Sequence, residues 1–173
     1  MQVLRHRRPP AWVAASCPSV GGLMEICEDA YCSLLRLAPD LRRARGCLRS
    51  SPGQSAELYL EVLEQSRYTT LLRLTYAFPR GPGEAGPTLD PNARLCAYHD
   101  ARQVEVLDLH QTALPIYRHY AFPALDTKWR ANLFLAKWLA FCSRQGHRFG
   151  SEVGATSEAA GYCGERHPDL TRI

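Results

Sequence analysis

The stretch ELYLEVLEQSRYTTLLRLTY, residues 57 to 76, decides the fold. Leu58, Leu60 and Val62 fall at alternate positions, as do Leu72 and Leu74, and such alternation marks a strand with one buried face. The two runs, Glu57 to Glu64 and Tyr68 to Tyr76, are separated by Gln65, Ser66 and Arg67, a spacing that makes them an antiparallel hairpin. A second hairpin is predicted in RLCAYHDARQVEVLDL, residues 94 to 109, with strands Arg94 to His99 and Arg102 to Leu109 turning at Asp100 and Ala101. Asp-Ala is not the pair that a tight type I′ turn favours, which leaves a bulge or a longer loop open. Between the hairpins, Pro79 to Pro91 is rich in Gly and Pro and reads as a long loop.

Helices flank the hairpins. From Leu23 to Ala38, the residues Leu23, Cys27, Tyr31, Leu34, Leu35 and Ala38 recur at the spacing of one buried helix stripe. Ser19 suits the N-cap and Pro39 stops the helix. Thr127 to Gln145 is the second helix, preceded by Asp126 as a cap and ended by Gly146. Its Trp129 and Trp138 are nine residues apart, a half-turn out of phase, so one of them is expected outside the core as an interface anchor. Gln111 to Leu125, with Tyr117, Tyr120 and Phe122, reads as an extended aromatic crossing. The expected fold class is α+β, an antiparallel four-stranded meander sheet packed against an N-terminal and a C-terminal helix.

With 173 residues, 22% of them charged and 46% hydrophobic, the chain is excluded from the collagens, coiled coils and wholly disordered proteins, and its length suits one domain. Residues 1–17 are expected to be a disordered N-terminal extension, 18–149 the domain, and 150–173 a disordered tail, because large apolar residues become sparse there. The opening MQVLRHRRPPAWVAASC has a basic start, but Pro9 and Pro10 interrupt it and AWVAAS is too short for a secretory core or a membrane span. The seven cysteines show no paired spacing, which suits reduced thiols. A cytoplasmic setting with no membrane contact is therefore expected.

Lys and Arg number 21 against 17 Asp and Glu, a mild excess of +4. Nucleic-acid binding usually concentrates more charge than that on one face. Arg36, Arg42, Arg43, Arg45 and Arg49 follow the first helix and read as a solvated helix end, with RNA or DNA contact not favoured. GPGEAG at 81 to 86 lacks the Lys of a phosphate loop, no GxSxG elbow is present, and no two histidines stand at metal-ligand spacing. No cofactor and no metal are expected. In an up-and-down meander the first and third turns share one end of the sheet, which brings Glu64, Arg67 and Tyr68 beside His99, Asp100 and Arg102. These six are the candidate binding residues, since an acid beside a histidine can raise its basicity and arginine forks can hold an anion.

Four segments, CEDAYCSLLRLAPDL (27 to 41), LEVLEQSRYTT (60 to 70), LCAYHDARQVEVL (95 to 107) and KWRANLFLAKWLAFCSRQGH (128 to 147), together resemble the YqiB-like family, small bacterial proteins of unassigned function. The resemblance implies a cytoplasmic single-domain protein and names no substrate, cofactor or catalytic residue. The leading expectation is a non-catalytic binding or adaptor module that takes a protein partner or a small anionic ligand. Its alternatives are an enzyme acting on an anionic or phosphorylated small molecule at the Arg67/His99 corner, and an RNA or DNA contact through the Arg-rich segment.

Overall fold

Ser19 opens the first helix, α1 (Val20–Leu37), by accepting a hydrogen bond from the Gly22 amide on its side chain. The computed structural model describes residues 17–53, 56–78, 87–112 and 125–150. The α1 stripe of Ile26, Ala30, Tyr31, Leu34 and Leu37 is buried against the sheet and the second helix, α2 (Leu125–Arg144). After Leu37 the backbone amide of Ala38 still donates to Leu34, and Pro39 ends the run.

The sheet has five strands, not the expected four, in the order β1-β2-β3-β4-β5, every neighbouring pair antiparallel. These are β1 (Cys47–Ser50), β2 (Glu57–Gln65), β3 (Thr69–Phe78), β4 (Thr88–Tyr98) and β5 (Gln103–His110). The additional strand, β1, is four residues long and sits within the Arg-rich segment. So short a run has no readable alternation, and its strand geometry comes from pairing with Leu58 to Glu61 of β2. On the core side, Leu58 and Leu60 of β2, Leu72, Leu74 and Tyr76 of β3, Ala93, Leu95 and Ala97 of β4, and Val104 and Val106 of β5 form one cluster with the helices.

β4 begins at Thr88, inside the stretch expected to be loop. Pro91 lacks an amide hydrogen, yet it falls where the register between β3 and β4 shifts, so the ladder loses no bond there. The turn between β4 and β5 runs from His99 to Arg102, and Arg102 takes a positive φ of 54°, making it longer than the two-residue turn predicted. α2 starts two residues early, and Asp126 stands in its first turn paired with Arg130 at 2.9 Å. Edge strand β5 is covered by α2: Asn132 Oδ1 accepts from the Val106 amide at 3.0 Å while its Nδ2 donates to the Lys128 carbonyl.

Both tryptophans of α2 are buried, against the expectation that one would stay outside. The helix is covered on two sides. Trp129 lies over Gly22 of α1, and Trp138 packs on Tyr76 of β3 with ring centroids 5.9 Å apart. Beyond α2, the Phe149 amide donates to Leu37 and the Arg148 amide donates to Ser50 Oγ, closing the chain onto α1 and β1. Cys17, Cys27, Cys32, Cys96 and Cys142 are free, whereas Cys47 is disulfide-bonded, a departure from thiols throughout. No helix among the described residues is long and apolar enough to cross a membrane. The Tyr117 to Phe122 crossing, most of the N-terminal extension and nearly all of the tail lie outside the described residues.

A Cβ on Gly22 would stand 2.6 Å from Trp129 Cη2, whereas one on Gly21 meets nothing within 4 Å. Gly22→Ala therefore lowers stability by about 1–3 kcal/mol despite its better helix propensity, because a packed ring has nowhere to retreat. Gly21→Ala does not. Urea or thermal denaturation of the pair measures the difference, and equal effects at the two sites would refute this helix contact.

Candidate functional site

The inward phase of β4 continues past Ala97 to His99, and that of β3 begins at Thr70, two residues before Leu72. Tyr31 lies on the buried stripe of α1. Three polar side chains are thus driven to the core side at the end of the sheet. They satisfy one another. His99 Nδ1 is 3.0 Å from the Tyr31 hydroxyl and Nε2 is 2.7 Å from the Thr70 hydroxyl, with 7%, 4% and 0% of the respective residues exposed. A neutral imidazole offers one donor and one acceptor, and two hydroxyls can complement either tautomer.

The electrostatics favour the neutral ring. Burial lowers the His99 pKa from its ordinary value, nearby Arg42 pushes the same way, and Asp100 opposes them. Burial raises Tyr31, with Arg42 and Arg102 opposing. Both arginines therefore lie within electrostatic reach of the buried triad.

Around it stands a polar rim. The His99 amide donates to the Tyr68 carbonyl at 2.8 Å, joining the β2–β3 turn to the β4–β5 turn. Arg67 lies over the Tyr68 ring at 5.1 Å, and its carbonyl accepts from Arg42 Nη2 at 3.3 Å. Gln65 Nε2 donates to the Leu41 and Arg42 carbonyls, and its Oε1 accepts from Arg45. Glu64, Arg67, Tyr68, Asp100 and Arg102 are exposed. His99 alone of the six sequence candidates is buried, and its ring faces the core rather than the rim.

Sequence reasoning did not anticipate Tyr31, Thr70 or Arg42 at this end. The signal for the first two was available in the phase of α1 and β3. Arg42 had none, since its position depends on how the segment after α1 folds onto the β2–β3 turn.

Other chemistry is sparse. Burial pushes the Cys27 thiol up to about 12 and Cys142 to about 11, which removes both as thiolates at neutral pH. No group of three or more His, Cys, Asp or Glu among the described residues could hold a metal ion. A cavity of about 370 Å³ lies beside the rim, lined in part by Leu41, Arg43, Arg45, Leu48 and Phe149, and a second of about 510 Å³ includes Tyr76, Gln111 and Trp138. Neither is lined by His99 or Arg67.

A family model described as "Protein of unknown function (DUF1249)" matches residues 33–148. The chain is 32% identical over 137 residues to the "Uncharacterized protein YqiB" of Escherichia coli K12, covering 75% of this chain and 91% of that relative. The proteins of the same name from Escherichia coli O6:H1 and O157:H7 match to the same extent. No solved structure matches the chain.

The buried histidines set a pH dependence. His99 and His147 are both held below the ordinary imidazole value of 6.5, chiefly by burial. As pH falls through 6.5 the unfolded chain takes up protons before the folded one, so stability present above that value declines toward the lower folded pKa. Denaturation between about pH 7.5 and about pH 5 is expected to show this decline. His99→Gln flattens it and also lowers stability at the upper pH by about 1–3 kcal/mol, because the Tyr31 and Thr70 hydroxyls lose a matched partner. An unchanged pH slope in that variant would show that the ring is not held neutral in the core.

Proposed function

Given that the chain belongs to the DUF1249 family of proteins of unknown function, we propose that it is a non-catalytic binding or adaptor module that offers Arg67 and Arg102 to an anionic group on a protein partner or a small ligand. The observation that carries this reading is the engagement of both His99 ring nitrogens by buried hydroxyls. A general base must be free to reach a substrate proton, and this imidazole serves instead to fix two turns in register. The arginines on those turns remain outside. Among the described residues neither Arg67 nor Arg102 forms an ion pair, and both are exposed.

Arginine is suited to such a role, because its planar fork binds carboxylate or phosphate through two parallel hydrogen bonds. Holding the two turns together fixes the spacing of the two guanidinium stems before any partner arrives, which reduces the ordering cost of association. The enzyme reading draws less support, since neither of the two cavities described is lined by His99 or Arg67, although the smaller one opens beside the rim at Leu41 and Arg45. The nucleic-acid reading is weakened because Arg49 is paired with Glu57, which offsets one positive charge of the Arg-rich segment. A cytoplasmic setting is part of the proposal, supported by five free cysteines among the described residues, with the disulfide at Cys47 counting against it.

Affinity capture from cell extract with the wild type and with an Arg67→Glu/Arg102→Glu variant tests the proposal. The wild type is expected to retain a stoichiometric protein or an anionic small molecule, and the variant to lose it while keeping its circular dichroism spectrum. Equal recovery by both proteins counts against the rim. Recovery of nucleic acid, with affinity falling log-linearly as salt rises, supports the Arg-rich alternative instead.

A further inference from the structure

Pro39 ends α1, and the chain then folds back through residues 38–44 before it enters β1. Between that turn, Leu48 of β1 and Phe149 lies the cavity of about 370 Å³, at the lower end of the usual range for small-molecule sites. Its wall is mainly apolar. Leu41 and Phe149 are buried behind it, whereas Ala44 and Leu48 are half-buried and keep accessible surface. The Phe149 amide donates to the Leu37 carbonyl at 2.7 Å, and the Ala44 amide donates to the Asp40 and Leu41 carbonyls, so both sides of the wall are tied down by backbone.

Arg45 stands at the mouth. Its Nη1 donates to the Ala44 carbonyl at 2.7 Å and also to Gln65 Oε1, and Gln65 is itself held through Nε2 by the Leu41 and Arg42 carbonyls. Both acceptors of the guanidinium are neutral. It is therefore fixed in place while its charge stays uncompensated, and its remaining N–H groups are available to a further acceptor. Arg43 lines the same cavity, and among the described residues neither arginine forms an ion pair. Asp40 is the one carboxylate on the described wall, which leaves that wall with a net positive charge.

A positive charge held beside an apolar hollow selects a ligand with both characters. A hydrocarbon part gains by leaving water, and an anionic head at the mouth stays partly solvated and so avoids the cost of full burial. A cation meets repulsion there, and a neutral molecule forgoes the charge-assisted hydrogen bonds. We propose that this cavity binds a small amphipathic anion, a short hydrocarbon chain bearing one carboxylate, its chain against Ala44 and Leu48 and its head on the guanidinium of Arg45. The site uses neither Arg67 nor Arg102, so its failure would leave the proposed role of the rim standing.

Titration of the full-length protein with octanoate, octanol and octylamine, followed in proton–carbon correlation spectra of the alanine and leucine methyl groups, tests it. Octanoate is expected to shift the Ala44 methyl signal, identified by its loss in Ala44→Ser, together with those of Leu48, and to saturate. Octanol keeps the chain without the charge and binds at least about fivefold more weakly, and octylamine more weakly still. Arg45→Gln brings octanoate toward the affinity of octanol and leaves octanol unchanged, whereas Arg45→Lys, which keeps the charge without the fork, recovers part of the difference. Equal affinity for octanoate and octanol, tightest binding of octylamine, or no saturable shift with any probe would each overturn the proposal. So would nuclear Overhauser contacts placing residues after Gly150, or a second copy, against the Ala44 methyl group in the free protein.

Discussion

The contact on which the rest of the rim depends is the imidazole of His99 held between the hydroxyls of Tyr31 and Thr70. It joins α1, β3 and the end of β4 at one buried point, across sequence separations of 68 and 29 residues. Three polar side chains in a core are tolerable only when each finds a partner, and here every ring nitrogen does. The arrangement is directional where hydrophobic contact is not. Apolar packing presses α1 onto the sheet, but these hydrogen bonds specify how far along the sheet Tyr31 sits.

Position at the rim follows from that register. Because the His99 amide also donates to the Tyr68 carbonyl, the two hairpin turns are fastened by backbone as well as side chain. Arg67 and Arg102 then sit on fixed stems, while Arg42 enters from the segment after α1 and meets the same turn through the Arg67 carbonyl. The positive charge at this end has a second effect. Arg42 disfavours a proton on His99, so charge on the rim and neutrality of the ring beneath it reinforce each other.

Strand phase made much of this fold legible in the sequence. Alternation at Leu58, Leu60, Leu72 and Leu74 correctly assigned the core face of two strands, and the spacing from Cys27 to Leu34 assigned α1. The same rule, carried two residues further along β4, places His99 inward, yet a histidine next to a turn invites a surface reading because turns face water. β1 was not legible for a different reason: four residues owe their strand geometry to β2, a tertiary cause that local pattern does not record. The two tryptophans of α2 show the same limit. Helical phase states that they point apart, but not that α1 waits on one side and Tyr76 on the other.

The meander also sorts its two ends by chemistry. Its β2–β3 and β4–β5 turns gather arginine, carboxylate and hydroxyl groups, and the ring nitrogens and hydroxyls of the triad beneath them are all paired. At the opposite end aromatic rings gather instead, with Tyr76 packed against both Phe78 and Trp138 and Phe134 against Trp138. The two ends are thus held differently, by directional hydrogen bonds beneath the rim and by ring packing where α2 crosses the sheet.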